Sequence, residues 1–390
     1  MTGSSPGAGG SAARSSTIEP EPIPLATPVL GAAEERALID VLRSGQLSLG
    51  ARLPEFERAF AERVGAPHAS AVSSGTAGLH LALRALGVSD GDEVVTTPFS
   101  FVASANVILY ERAIPVFADI DAHTLNIDPD AAAAAVGERT RALLPVHAFG
   151  YPADMAALER VARQSGLGIV EDACEALGGH YADGRAIGGR GHPSVFGFYP
   201  NKQLTTGEGG MVTLAEGAHK ELIDSERNQG RSPDMGWLDH DRLGFNYRLS
   251  ELACALGLAQ LERLEDMLAA RAHVAALYRE ALGELEDVEP PCADVGDARR
   301  GWFVFVVQLP PAADREAVIA ALARERIQSK PYLPAIHLMS FYRERFGYRE
   351  GQFPVCEEVA ARSLALPFFP AMSESEVERV VIALRGALAR

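Results

Sequence analysis

Between His68 and Asp172 the chain alternates short apolar runs with longer amphipathic ones, and this rhythm limits the folds open to it. The short runs are "HASAVSS", "DEVVTT", "IPVFADI", "RALLPVH" and "LGIVED". Within them polar and apolar residues do not alternate, which suits strands covered on both faces. Between the runs lie "GTAGLHLALRALG", "FVASANVILYERA", a stretch around Asp130–Val136 and "DMAALERVARQSG", all with helical spacing. Strands separated by helices build a mostly parallel sheet with helices on both faces, an α/β fold. Upstream, "AAEERALIDVLRSG" and "LPEFERAFAERVG" read as amphipathic helices that stop at glycine.

The rhythm breaks after Asp172. "SVFGFYP" and "GGMVTL" read as two further strands around a Gly/Thr-rich loop. Leu249 to Leu282 reads as one long helix or two, with Leu252, Leu256, Leu261, Leu264 and Leu268 as a core-packing stripe. From Trp302 a strand "WFVFVVQL", a helix "REAVIAALARERI" and a last helix "SESEVERVVIALRGALA" describe a smaller α+β unit. The expected organisation is a tail over 1–24, a large domain over 25–264 and a small C-terminal domain over 265–390. The opening "MTGSSPGAGGSAARSSTIEPEP" has no apolar h-region, so it reads as a disordered tail rather than a secretory signal. No apolar run reaches the ~20 residues of a membrane helix, and the cytoplasm is the expected compartment.

A net charge of −16 argues against a general nucleic-acid binder. The four cysteines are far apart and the histidines lack metal-ligand spacing, so neither disulfides nor a metal site are expected. Charge also singles out one residue. Of 36 basic side chains only Lys202, Lys220 and Lys330 are lysines. Lysine can act as an amine nucleophile and arginine cannot. Lys202 lies in the loop "FYPNKQLTTGEGG", where it is either a chance survivor or a working amine.

In an open parallel sheet, ligands gather at the carboxyl ends of the strands. Gly75 and Thr76 open a helix there and are either an ordinary cap or a cradle for an anion such as phosphate. Asp172 follows a strand directly. It is either a cap, with Glu175 completing the arrangement, or a carboxylate facing a buried cation such as a pyridinium nitrogen. Together, a phosphate cradle, a carboxylate and a lysine about thirty residues later are the parts that hold pyridoxal phosphate.

From about Pro28 onward the chain resembles the DegT-type nucleotide-sugar aminotransferases, a branch of the fold-type I pyridoxal-phosphate enzymes. The motifs that carry the likeness include "SSGTAGLHLAL", "TTPFSFVASAN", "PVHAFGYPADM", "VEDACEALGG", "FYPNKQLTTGEGG", "GFNYRLSELACALGLAQLERL" and "PYLPAIHL". The resemblance implies a seven-stranded-type sheet in the large domain. It also implies Lys202 as Schiff-base lysine and proton shuttle, Asp172 on the pyridine nitrogen, Gly75 and Thr76 on the phosphate, and Phe101 on the ring face. Asn246 would reach the phosphate of the neighbouring subunit's cofactor, so the family pattern is a homodimer with shared sites. His337 matches a residue near the sugar-nucleotide pocket, or is simply satisfied in a loop. Arg231, Arg248 and Lys330 are candidates to meet an acidic substrate.

Two positions depart from the family pattern. Gly197 stands where a phosphate-binding serine is usual, and the lost hydrogen bond is worth about 1.5–3 kcal/mol unless replaced. Glu175 stands where glutamine or histidine is usual near the cofactor's 3-oxygen, so it must be protonated, turned away or balanced by a cation. The implied reaction moves an amino group from L-glutamate to a nucleotide-linked 3- or 4-keto-sugar, leaving 2-oxoglutarate. The alternatives are a keto-cyclitol acceptor with glutamine as donor, or a non-catalytic sugar-nucleotide sensor. A nicotinamide oxidoreductase would need G-x-G-x-x-G after the first strand, which "SSGTAG" does not supply.

Overall fold

The computed structural model describes residues 21–232 and 239–389. Most of the tail expected over 1–24 lies outside them. The exception is its end: Ile23 is 1% exposed and pairs in parallel with Ile327, so the packed chain already includes it.

The apolar runs form strands β1 (His68–Val72), β2 (Glu93–Thr96), β3 (Ile114–Phe117), β4 (Thr140–Leu144), β5 (Gly168–Ile169) and β6 (Glu171–Asp172). The two runs after the break form β7 (Ser194–Gly197) and β8 (Gly210–Leu214). The orders β3-β2-β4-β5 and β6-β7-β8-β1 join where β5 runs on into β6. There the Val170 amide donates to the Leu143 carbonyl at 3.0 Å and the Asp172 amide to the Pro145 carbonyl at 2.9 Å. With β5 and β6 counted as one, the sheet has the expected seven strands. Every neighbouring pair is parallel except those of β8, which is antiparallel to both β7 and β1.

Both faces are covered. One core packs Phe56 and Phe60 of the helix Arg52–Val64 and Leu158 of the helix Met155–Ser165 against the sheet. The other packs Leu79 to Leu83 of the helix Gly75–Ala85 and Val107 of the helix Ala103–Tyr110. This double cover is why the strands read as unbroken apolar runs.

The region expected as one long helix or two is two, Glu251–Glu262 and Leu264–Leu282, broken at Arg263. Of the leucine stripe, Leu264 is fully buried and Leu261 and Leu268 pack on the first core, while Leu252 and Leu256 are only half-buried. The second helix carries Leu264 and Met267 into the first core and Val274 to Leu282 into another. That second core lies under an antiparallel sheet of β9 (Phe305–Gln308), β10 (Lys330–Pro331) and β11 (Ser363–Leu366), in the order β10-β11-β9. The closing helix Glu374–Leu388 covers it.

The two parts meet tightly at Gly150. Its φ is 84°, and a Cβ there would lie 1.9 Å from the Gly301 carbonyl oxygen. The Gly301 amide donates to the Gly150 carbonyl at 2.9 Å. The Gln203 side-chain amide then donates to the carbonyls of both Gly301 (2.9 Å) and Glu175 (2.6 Å). Gly150→Ala combines a left-handed backbone with a direct clash, and should destabilise the chain by about 2–4 kcal/mol, measured by urea unfolding. A loss within about 0.5 kcal/mol would mean that this junction is not packed as described.

Candidate active site

The first part of the site is a helix start. Ser74 caps the helix Gly75–Ala85 by accepting the Ala77 amide on its Oγ at 3.0 Å. Capping is thus done by Ser74, which leaves the Gly75 and Thr76 amides at helical positions that have no intrahelical acceptor. Backbone packs so closely here that side chains are excluded. A Cβ on Gly75 would lie 2.7 Å from Cys174 Sγ, and one on Gly210 would lie 2.8 Å from the Gly75 nitrogen. The result is a bare amide cradle.

Asp172 ends β6 at the carboxyl edge of the sheet and is 6% exposed. It caps no helix, because turns follow it. Its Oδ2 accepts the Ser104 hydroxyl at 2.7 Å, and its Oδ1 accepts the Cys174 amide at 3.1 Å. Ser104 in turn is 2.7 Å from the Ser100 hydroxyl. Two donors hold the carboxylate in one orientation, at the bottom of a cavity of about 490 Å³.

Lys202 enters that cavity from the loop between β7 and β8, where its amide closes a turn on the Tyr199 carbonyl at 2.9 Å. Its Nζ lies 3.6 Å from Glu175 Oε1 and 3.8 Å from the centroid of the Phe303 ring. The first is an ion pair and the second a cation–π contact. Glu175 is therefore balanced by a cation, the third of the possibilities left open for it. Its Oε2 also accepts the Phe149 amide at 3.1 Å. Burial nevertheless dominates and raises its pKa above the ordinary carboxylate value, with Lys202 and the Phe149 amide opposing.

The cavity gathers Gly75, Thr76, Phe101, Asp172, Glu175 and Lys202. The Phe101 ring is 63% exposed and lines one wall. Five other expected residues do not line it. Asn246 is exposed and bridges to Asn228, whose side chain accepts Arg248 Nη1 at 3.0 Å. The Arg231 carbonyl accepts the Ser225 hydroxyl at 2.6 Å. Lys330 is exposed on β10. His337 is fully buried, with Nε2 3.0 Å from Glu357 Oε1, and burial pushes its pKa down. Among the lining residues Lys202 is the single cation.

Cys174 occupies the space beside Gly197. A Cβ at 197 would lie 3.4 Å from both Cys174 Cβ and Sγ, ordinary van der Waals contact, so a side chain at this position would pack against Cys174. Burial pushes the Cys174 thiol well above its usual pKa.

Sequence reasoning missed Ser104, Tyr332 and Phe303. Ser104 sits one helical turn from Phe101 inside a motif already singled out, and that spacing was the available signal. Tyr332 lies in the quoted motif "PYLPAIHL", which was its available signal, whereas Phe303 arrives from the second part of the chain and carries none. Among the described residues no cluster could hold a metal ion, and no helix is long and apolar enough to cross a membrane.

Residues 28–385 match the DegT/DnrJ/EryC1/StrS aminotransferase family. The chain belongs to this family. It is 38% identical over 93% of its length to the spore coat polysaccharide biosynthesis protein SpsC of Bacillus subtilis, of which 96% is covered. Among solved structures it is similar to DesV of S. venezuelae in complex with a ketimine intermediate, at a TM-score of 0.87 and 33% identity. That match covers 94% of this chain and 99% of DesV. It is likewise similar to the aminotransferase TlmJ of Streptoalloteichus hindustanus, at a TM-score of 0.89 and 32% identity over 95% and 99% of the two chains. The α/β fold and the family's aminotransferase activity are thereby shown.

The raised pKa of Glu175 has a stability consequence. A carboxyl raised by burial stabilises the fold while protonated, and that contribution is lost as pH rises through the folded-state pKa. The cofactor-free Glu175→Gln variant should therefore melt above the parent at neutral pH, with the gap closing as pH falls through the carboxylate range. A gap that widens towards acid pH would show that the Lys202 pairing outweighs burial.

Proposed function

We propose that this chain uses pyridoxal phosphate to move the amino group of L-glutamate onto the carbonyl of a nucleotide-linked keto-sugar. The observation that carries the reading is convergence: the Lys202 amine, the Asp172 carboxylate and the open Gly75 and Thr76 amides face one cavity. The donor set fits the cofactor group by group. An amine meets the aldehyde, a carboxylate the ring nitrogen, an amide cradle the phosphate, and Phe101 a ring face. The glycines at 75 and 210 let neighbouring chain pack directly against this helix start, where a Cβ would clash with Cys174 Sγ or the Gly75 nitrogen. One further polar atom, the buried Asn201 Oδ1 at the cavity wall, has no partner among the described residues.

When bound, the cofactor supplies a conjugated ring that can accept an electron pair from the donor's Cα. The rest of the work falls to this chain. Asp172, oriented by Ser104 and the Cys174 amide, keeps negative charge at the ring nitrogen and so holds a proton there. Lys202 first provides the attachment point. Its free amine would be the group placed to take the proton from the donor's Cα and to give one to the acceptor carbon. Glu175 keeps that amine close by ion pairing. The products are 2-oxoglutarate and an amino sugar.

The sugar acceptor is supported by the relative in spore coat polysaccharide biosynthesis. The amide cradle lacks a basic side chain, because Lys202 is the single lining cation. This favours completion of the site by a second subunit in a homodimer, with Asn246 reaching the partner's phosphate. Arg231, Arg248 and Lys330 remain candidates for the nucleotide or the glutamate side chain at the outer rim, whereas His337, buried against Glu357, fits the alternative of a histidine satisfied within the fold. We place the enzyme in the cytoplasm, with amino-sugar supply for polysaccharide or glycan synthesis as its role.

Purified protein should be yellow, and borohydride should bleach it and fix the cofactor to the peptide containing Lys202. Lys202→Arg should stay folded, and its kcat with glutamate and a keto-sugar nucleotide should fall by about 10³-fold or more. Colourless protein that takes up no cofactor, or an arginine variant that still turns over, would sink the reading. Mixing Lys202→Arg with Asn246→Ala protomers should restore part of the activity in the hybrid dimer. Without recovery, Asn246 does not act across an interface.

A further inference from the structure

Arg271 is a buried guanidinium that, among the described residues, has no carboxylate partner. It sits on the helix Leu264–Leu282, is 3% exposed, and its Nε has no hydrogen-bond partner among the described residues. A charge placed this way is costly, and an apolar side chain would fill the volume without that cost. The charge persists all the same: burial pushes the pKa down only to about 10.

The guanidinium does something an apolar side chain cannot. Nη1 donates to the Phe303 carbonyl at 3.1 Å, and Nη2 donates to the Lys202 carbonyl at 3.1 Å. The same two residues meet again at their side chains, where Lys202 Nζ sits 3.8 Å from the Phe303 ring centroid. One planar fork therefore joins the backbone that carries the amine to the backbone that carries its floor. Gln203 makes the matching tie on the other side, between the Glu175 and Gly301 carbonyls. Lysine could not replace Arg271, because a single ammonium does not present two donors in a fixed plane.

We propose that Arg271 is the positioning residue of the Lys202 amine, locking the Lys202 and Phe303 backbones together and so setting where the amine sits. The proposal rests on Lys202 being the reacting amine, but its test needs no turnover. The chain has only three lysines, so Lys220 and Lys330 are internal references.

Cofactor-free full-length protein is labelled with trace acetic anhydride, and each lysine is quantified by mass spectrometry. Two variants are compared with the parent. Arg271→Lys keeps the cation and loses the fork; Phe303→Leu keeps the fork and loses the ring. In both, labelling of Lys202 relative to Lys330 should rise roughly three- to tenfold as the amine leaves its seat, with Lys220 unchanged. In the holoenzyme, Arg271→Lys should lower kcat by about 10- to 100-fold while the KM for glutamate holds. An unchanged Lys202 ratio in Arg271→Lys overturns the proposal, whatever Phe303→Leu does. So does a rise at all three lysines together, which marks a loosened fold. The expected labelling in a parent chain that fails to transaminate would support the positioning role and sink the proposed function separately.

Discussion

Two consecutive carboxylates, Glu171 and Asp172, are buried at the centre of the sheet, and much of the surrounding structure exists to satisfy them. Strand geometry points them to opposite faces. Glu171 is fully buried and takes hydrogen bonds from Tyr181 at 2.6 Å and Ser194 at 2.9 Å, with His147 Nε2 at 3.0 Å. His147 Nδ1 accepts the Ala153 amide, so Nε2 is the nitrogen that carries the proton towards Glu171. Burial alone would raise the Glu171 pKa; the bond from His147 leads the contributions that bring it below the ordinary value. With one face anchored this way, the strand presents Asp172 to the cavity on the other.

The same logic explains how an acidic chain builds a site for anions. Its net charge is −16, and the cavity holds the carboxylates of Asp172, Glu175 and Glu208 against one lysine. Attraction for phosphate comes from backbone amides at a helix start rather than from basic side chains. That solution requires backbone to approach closely, and the exclusion of side chains at Gly75 and Gly210 provides it.

Much of this was legible in the sequence where contacts are local. Doubly buried strands leave unbroken apolar runs, so the sheet could be read directly, down to the change of pattern at β7 and β8. Lys202 stood out because arginine fills almost every other basic position. Asp172 was placed correctly at a strand end, but its neighbour Glu175 could not be assigned, because its balancing partner is spatial. The floor of the site was invisible for the same reason. Phe303 lies about a hundred residues from Lys202, and Arg271 reads simply as a helical arginine. The break at Arg263 and the half-buried Leu252 and Leu256 show the other limit: periodicity marks a helix face, not what covers it.

The sharing of Lys202 between the two parts of the chain bears on how such proteins can diversify. The amine comes from the first part, its aromatic floor from the segment beside Gly301, and the fork that joins them from the helix between the two cores. Recombination that exchanged only the C-terminal portion among relatives would separate these pieces. Arg271, Phe303 and the Lys202 loop therefore depend on one another for their geometry, and changes at the cavity rim outside them leave that geometry untouched.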